Sequence, residues 1–240
     1  MTIVEIAVQD PAGARSAFAA GADRIELCQA LGMGGLTPSP GAVDRVIEAS
    51  DGPERIGVLV RPRGGGFVYD SDEIAVVSAD IRFLVEVGIT RMIVGALTPD
   101  ARIDVDAVRR WREAAGDAHL IFHRAIDAVP DPESVVEQLV ESGVSGILTS
   151  GGAERSVDGA PVLTRLVERA AGRLEVVAGG GIRIADLPIL ISTGVDAVHL
   201  SARTRVTATV AGPGGGADSY DATDLATVAA VVGATRGGGR

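Results

Sequence analysis

Short apolar runs alternate with longer amphipathic stretches along the whole chain. The apolar runs have the length and the β-branched content of buried strands, and there are eight of them: Ile3–Val8, Arg24–Leu27, Ile56–Val60, Met92–Val94, Leu120–Phe122, Gly146–Leu148, Glu175–Ala178 and Ala197–Leu200. The stretches that follow them have helical periodicity and predict eight helices: Pro11–Ala20, Pro40–Ala49, Asp72–Val87, Val105–Ala115, Pro132–Ser142, Pro161–Ala171, Ile184–Thr193 and Ala222–Val232. Eight strand–helix units predict an α/β fold, a single-domain (βα)8 or TIM barrel over residues 1–233.

Cap and turn residues mark the ends of these elements. Glycine follows the predicted helices at Gly21, Gly88, Gly143 and Gly194, where a helix C-cap requires positive φ. The pair Asp131-Pro132 combines a capping side chain with a proline suited to the first helical position. The Gly-rich segment 207–219 predicts a mobile loop, and residues 234–240 predict a frayed tail.

Composition excludes several classes of function. The chain has 240 residues and a net charge of −10, which disfavours non-specific nucleic-acid binding. All 22 basic residues are arginine, so Schiff-base aldolases and pyridoxal-phosphate enzymes, which need a lysine amine, are excluded. The stretch "AGGGIR" lacks the G-x-G-x-x-G spacing of a nicotinamide-binding turn.

The chain also lacks the sequence signals of a secreted or membrane protein. The start, "MTIVEIAVQDPAG", has neither the basic region nor the apolar run of a signal peptide, and no apolar run is long enough to span a membrane. Cys28 is the one cysteine, which excludes an intrachain disulfide and a CxxC motif. We therefore expect a cytoplasmic protein without a membrane partner.

Polar side chains stand where several predicted strands end. In "LIFHRAID", an apolar strand runs directly into His123, Arg124 and Asp127. The carboxyl ends of the strands of a (βα)8 barrel share one mouth, where active sites lie. We therefore predict catalytic roles there: a general acid or base, tuned by a neighbouring carboxylate, drawn from His123, His199, Glu26 and Asp127.

Arginines and glycine-rich turns at the same strand ends favour an anionic ligand. Charge-assisted hydrogen bonds from arginine hold phosphates and carboxylates, and backbone amides without a Cβ approach such groups closely. The turns "RGGGF", "TSGG" and "AGGGIR" follow the third, sixth and seventh strands. The predicted substrate-binding residues are Arg61, Arg63, Arg124, Thr149, Ser150, Gly180 and Ser201.

Each of these residues also has a structural interpretation. Glu5, Arg24, Glu26 and Arg61 could form a charge network that plugs the barrel, because buried charges must be paired. His123 alone would be a core histidine, Arg63 a solvated turn residue, and Cys28 a small core residue. Both interpretations stay open on the sequence.

The motifs resemble the CutC family, which is named for copper homeostasis. The resemblance is carried by "GADRIELCQALGMGGLTPS", "VRPRGGGFVY", "FHRAID", "ILTSGG", "AGGGI" and "HLS", in family order over about residues 1–205. The chain departs from the family pattern at Gly66, where an Asp is usual, at Ile126, where a Phe is common, and at Val77, near a usual Met.

The resemblance implies a (βα)8 barrel that is cytoplasmic and oligomeric, with a homodimer favoured. It also implies a role in copper homeostasis and copper as a bound ion, with Cys28, His123 and His199 as candidate ligands. The residues alone support a different hypothesis, an enzyme that acts on a small phosphorylated or carboxylate metabolite. An ordered anion at the mouth would favour the enzyme, and tight Cu(I) binding would favour the metal-binding protein.

Overall fold

The eight predicted strands close into a barrel. The structure is a computed structural model, and it describes residues 1–207 and 219–237. Eight parallel strands pair in chain order, and β1 pairs with β8 to complete the ring: β1 Ile3–Val8, β2 Arg24–Leu27, β3 Ile56–Leu59, β4 Arg91–Val94, β5 His119–Phe122, β6 Gly146–Thr149, β7 Glu175–Gly179 and β8 Ala197–Leu200. The predicted (βα)8 architecture is confirmed.

Helices follow the strands around the outside of this ring. They are α1 Pro11–Ala19, α2 Pro40–Ala49, α3 Ser71–Glu86, α4 Val105–Ala115, α5 Val136–Glu141, α6 Ala160–Ala170, α7 Leu187–Ser192 and α8 Leu225–Gly237. Three turns of 3-10 helix lie at Leu31–Met33, Arg124–Ala128 and Ile184–Asp186. Within the described part of the chain, no helix has both the length and the apolar character needed to cross a membrane.

Two apolar layers hold the barrel together. The larger layer lies between the strands and the helices and includes the fully buried Trp111 and Phe122. Strand side chains alternate in direction, so the remaining strand positions face the interior, where they form a second cluster: Cys28, Leu59, Ile93, Ile121, Leu148, Val177 and Ala197. The interior is therefore a packed core, and a cavity can open only above it.

The amino-terminal end of the barrel is closed by a charge plug. We use this name for Glu5, Arg24, Arg91 and Glu175. Arg24 forms ion pairs with Glu5 and, at 2.7 Å, with Glu175. Arg91 forms a second ion pair with Glu175, also at 2.7 Å. The structural interpretation of Glu5 and Arg24 is thus confirmed, whereas among the described residues no ion pair joins Glu26 or Arg61 to the plug.

Three helix starts were predicted wrongly. The helix expected from Ile184 begins at Leu187, because Ile184–Asp186 form a 3-10 turn before it. The helix expected from Pro132 begins at Val136, because the Asp131 carboxylate accepts the amides of Glu133 and Ser134 in a separate turn before the helix. The last helix, expected from Ala222, begins at Leu225 because the preceding residues form a strand.

That strand, β10 (Ser219–Thr223), pairs antiparallel with β9 (Arg203–Thr207). The ends of the predicted mobile loop 207–219 are therefore strand residues, and its interior, 208–218, lies outside the described residues. Residues 234–237 of the predicted tail belong to α8, and residues 238–240 lie outside the described residues.

Candidate functional site

A cavity of about 520 Å³ opens at the carboxyl end of the barrel. Seven of the predicted site residues line it: Glu26, Arg61, His123, Arg124, Gly180, His199 and Ser201. They come from strands or loops far apart in the chain, and barrel closure brings them together, as the polar strand ends predicted. The volume lies within the range of about 300–1,000 Å³ that is typical of small-molecule sites.

His123 is held as a neutral hydrogen-bond donor. Its Nδ1 accepts the Ala125 amide at 3.1 Å, which leaves the ring proton on Nε2. Burial and the neighbouring Arg61 charge lower the pKa of His123 to about 3. Nε2 is buried and has no hydrogen-bond partner among the described residues, so it is an unused donor in the cavity wall.

Glycines create the space that the site side chains occupy. A Cβ at Gly95 would lie 2.3 Å from His123 Nδ1. A Cβ at Gly180, where φ is +124°, would lie 2.8 Å from the guanidinium carbon of Arg124. Both positions therefore require glycine for the cavity to keep this wall.

The Arg61 guanidinium is fixed by backbone carbonyls. It donates to the carbonyls of Gly35 at 3.2 Å and Gly65 at 2.6 Å, and it lies 5.1 Å from the Phe67 ring centroid. Its Nε has no partner among the described residues. Arg61 therefore carries a positive charge into the cavity wall without a carboxylate to neutralise it.

Glu26 and His199 form the acidic floor of the cavity. His199 Nδ1 lies 2.8 Å from Glu5 Oε1, and one atom from each of Glu5, Glu26 and His199 lies within 4.8 Å of the others. Burial opposes the protonated ring, but the Glu26 charge and the Glu5 hydrogen bond raise the pKa of His199. Burial raises the pKa of Glu26, whose Oε2 is buried with no partner among the described residues.

Asp127 lies behind the cavity wall, in a clamp between two loops. It accepts the Thr149 hydroxyl, the Ser150 amide and hydroxyl, the Gly152 amide and, at 2.8 Å, Arg124 Nε. Asp127, Thr149 and Ser150 do not line the cavity. They lie behind Arg124, because the Asp127 carboxylate turns toward the donors of the next strand end, and their predicted catalytic and binding roles stay predictions.

Arg63 and Cys28 also lie outside the cavity lining. Arg63 turns away from the cavity and pairs with Glu73, so it is a half-buried, ion-paired residue and not the solvated turn residue of its structural interpretation. Cys28 belongs to the interior core, where burial and the Glu26 charge raise the pKa of its thiol. Of the predicted ligands Cys28, His123 and His199, only His199 belongs to the group of neighbouring metal donors found in the described residues.

Gly181 and Ile182 of the predicted anion-binding turn also line the cavity. The sequence analysis did not single out four further lining residues: Phe67, Arg183, Thr227 and Val231. Arg183 is the last residue of "AGGGIR", two positions after its last glycine, so the motif already contained the signal for it. Thr227 and Val231 lie in α8, and only the folded chain reveals that α8 reaches the mouth.

Comparison with known proteins assigns the family. The CutC family model matches residues 2–204. A family protein CutC from Klebsiella pneumoniae is 41% identical over 203 residues, covering 84% of this chain and 81% of the relative. The human copper homeostasis protein cutC homolog is 39% identical over 203 residues, covering 84% of this chain and 74% of the relative.

A solved structure agrees with this assignment. The structure of a CutC protein from Streptococcus agalactiae superposes with a TM-score of 0.79 at 31% identity, covering 84% of this chain and 99% of that chain. The residues that the family model matches, 2–204, include the eight barrel strands and most of the cavity wall, whereas α8 lies beyond them. The chain belongs to the CutC family.

Proposed function

We propose that the chain acts in copper homeostasis and that the copper it handles is divalent. The observation that carries the proposal is the donor set at the cavity floor, where a carboxylate with an unpartnered oxygen lies beside an imidazole and no sulfur is present. Oxygen and nitrogen donors suit Cu(II), whereas Cu(I) favours thiolates and thioethers. The cytoplasmic location and the homodimer implied by the family stay predictions.

The sulfur atoms of the chain do not fit a Cu(I) site. Cys28 is fully buried, and its raised pKa keeps it a thiol, which is a poor metal ligand. Met1 and Met33 are 93% and 61% exposed, and Met92 packs in the outer apolar layer. These sulfurs therefore cannot supply the two or three soft ligands that Cu(I) requires.

The floor has the arrangement that orients a metal-binding histidine. The ring nitrogen of such a histidine that does not bind the metal commonly donates its N–H to a carboxylate, and this hydrogen bond fixes the orientation of the ring. Glu5 takes this role for His199, and Arg24 in turn holds Glu5. Glu26 and the Nε2 atom of His199 are then the groups that would hold the ion, with Glu5 as the positioning carboxylate.

Cu(II) binding by isothermal titration and electron paramagnetic resonance tests this proposal. We expect one site with nitrogen and oxygen ligands, and we expect Glu26→Gln to weaken binding by more than about tenfold through loss of an anionic ligand. Cys28→Ser is the matched control and should bind Cu(II) as the wild type does. Cu(I) binding that is tighter and that Cys28→Ser abolishes would contradict the proposal.

The enzyme hypothesis is a second candidate. The size of the cavity and the unused donor on His123 favour it, because both suit an organic ligand. Its acid–base residues would be His123, His199 and Glu26, whereas Asp127 would serve only to position Arg124.

A further inference from the structure

The floor offers too few donors to complete a copper site. Glu5 is occupied by Arg24 and His199, so two groups remain, the Glu26 carboxylate and His199 Nε2. Cu(II) prefers a tetragonal set of four or more N or O ligands. At least two coordination positions must therefore be filled from outside the floor.

The cavity above the floor is larger than a metal ion requires. Its volume of about 520 Å³ corresponds to about 17 water molecules at roughly 30 Å³ each. One floor edge is acidic, but Arg61, Arg124 and Arg183 line the walls. Arginine has no lone pair to give a metal, whereas its planar fork matches a carboxylate.

These arginines keep donors available for a ligand. Arg124 uses Nε for Asp127 and Nη2 for Ser150, and its Nη1 makes no hydrogen bond within the described chain. Arg183 is exposed and forms no ion pair with any described residue. Arginine N–H donors that no described residue accepts therefore face the same space as the metal donors.

A buried donor of His123 completes the polar lining. The side chain is 5% exposed, and its Nε2–H lacks an acceptor among the described residues. A buried donor without an acceptor costs free energy that an oxygen atom of a ligand would recover.

We propose that the cavity takes copper as a chelate with a small polycarboxylate. Glu26 and His199 hold the metal, the oxygens of the chelator fill its other positions, Arg124 and Arg183 pair with the outer carboxylates, and His123 donates to one chelator oxygen. The inference rests on the proposed copper function and specifies the chemical form in which the protein binds the ion. It explains why metal donors and arginine donors without an acceptor among the described residues face one cavity.

Titration with three ligands tests the inference: Cu(II) alone, citrate alone, and the 1:1 Cu(II)–citrate complex. We expect the complex to bind at least about tenfold more tightly than either component, as one or two charge-assisted hydrogen bonds would provide. The paramagnetic resonance spectrum should report protein nitrogen and citrate oxygen on the same ion. Thermal melts of each variant establish that it is folded.

Variants distinguish the metal donors of the floor from the arginines of the wall. Arg183→Gln should remove most of the advantage of the complex without weakening the binding of Cu(II) alone, and Glu26→Gln should weaken both. Arg45→Gln is the control, because this arginine is 65% exposed on α2.

Each outcome decides between the proposals. Equal affinity for Cu(II) with and without citrate overturns the inference and leaves the copper function intact. Citrate binding that copper does not strengthen overturns the inference in favour of a plain anion site. Binding of neither copper nor the complex overturns both.

Discussion

At the scale of single residues, His123 shows how local structure fixes a chemical state. It follows β5 directly, and its ring caps the following 3-10 turn by accepting the Ala125 amide. Gly95 leaves room for the ring, and Arg61 adds a positive charge nearby. The residue is therefore kept neutral at pH values where an exposed histidine would be protonated.

His123 should make the stability of the protein depend on pH. Its pKa in the native state is about 3, below the ordinary value of 6.5. Below about pH 6.5, His123 therefore binds a proton in the unfolded chain but stays unprotonated in the native state. The stabilisation is complete above pH 6.5 and is lost progressively as the pH falls toward 3. The expected slope is about 1.4 kcal/mol per pH unit.

Urea unfolding at pH 7.5, 6.0 and 5.0 measures this slope. In His123→Gln the decrease in unfolding free energy between pH 7.5 and pH 5.0 should be smaller by about 2 kcal/mol. The control is His119→Gln, since His119 is exposed at the start of the same strand. An unchanged slope in His123→Gln would show that other groups cause the acid sensitivity.

At the scale of elements, the Asp127 clamp joins two neighbouring strand ends. The carboxylate links the turn after β5 to the loop after β6 through Thr149, Ser150 and Gly152. It also holds Arg124 against the cavity. One side chain thus sets the spacing of two loops and the position of a wall residue.

Replacing Asp127 with Asn should loosen both loops. The amide nitrogen cannot accept, so backbone or hydroxyl donors in the clamp lose a partner, and we expect a loss of about 2–3 kcal/mol in unfolding free energy. Hydrogen exchange should increase at the Ser150 and Gly152 amides. Asp44→Asn, at a side chain that is 68% exposed on α2, is the control and should leave stability and exchange unchanged.

Most elements could be predicted because their signals are local. Alternation and glycine caps predicted all eight barrel strands within about a residue or two. The Asp131 turn was missed, since a side chain that accepts nearby amides can start a helix or a separate turn. The β9–β10 pair was missed because its strands meet across eleven intervening residues, 208–218.

At the scale of the whole molecule, closure of the barrel places the charge plug and the cavity at opposite ends, and Glu5 contacts both sets of polar groups. The charge plug fills the amino-terminal end, and the cavity opens at the carboxyl end. The sequence predicted the shared mouth, because the fold places all strand ends on one rim. It could not predict that Arg63 and Asp127 turn away, because the end of a strand does not determine the direction of a loop side chain.

Breaking the plug should destabilise the barrel as a unit. Arg24→Met removes one of the two arginines that Glu5 and Glu175 share and leaves them only Arg91, and the expected loss of unfolding free energy is about 2–3 kcal/mol. Arg45→Met provides the exposed comparison and should change stability by less than about 0.5 kcal/mol. Urea melts of both variants measure the difference, and a small loss for Arg24→Met would mean that water replaces the pairing.

The pairing of β1 with β8 has a consequence for biosynthesis. The first strand to leave the ribosome finds one of its two neighbours only after residue 200 has been made. Until then the growing chain carries an open sheet edge, which is a surface on which other chains can aggregate. Premature termination before the eighth strand should therefore yield an aggregation-prone fragment that chaperones bind, whereas the completed ring has no open sheet edge.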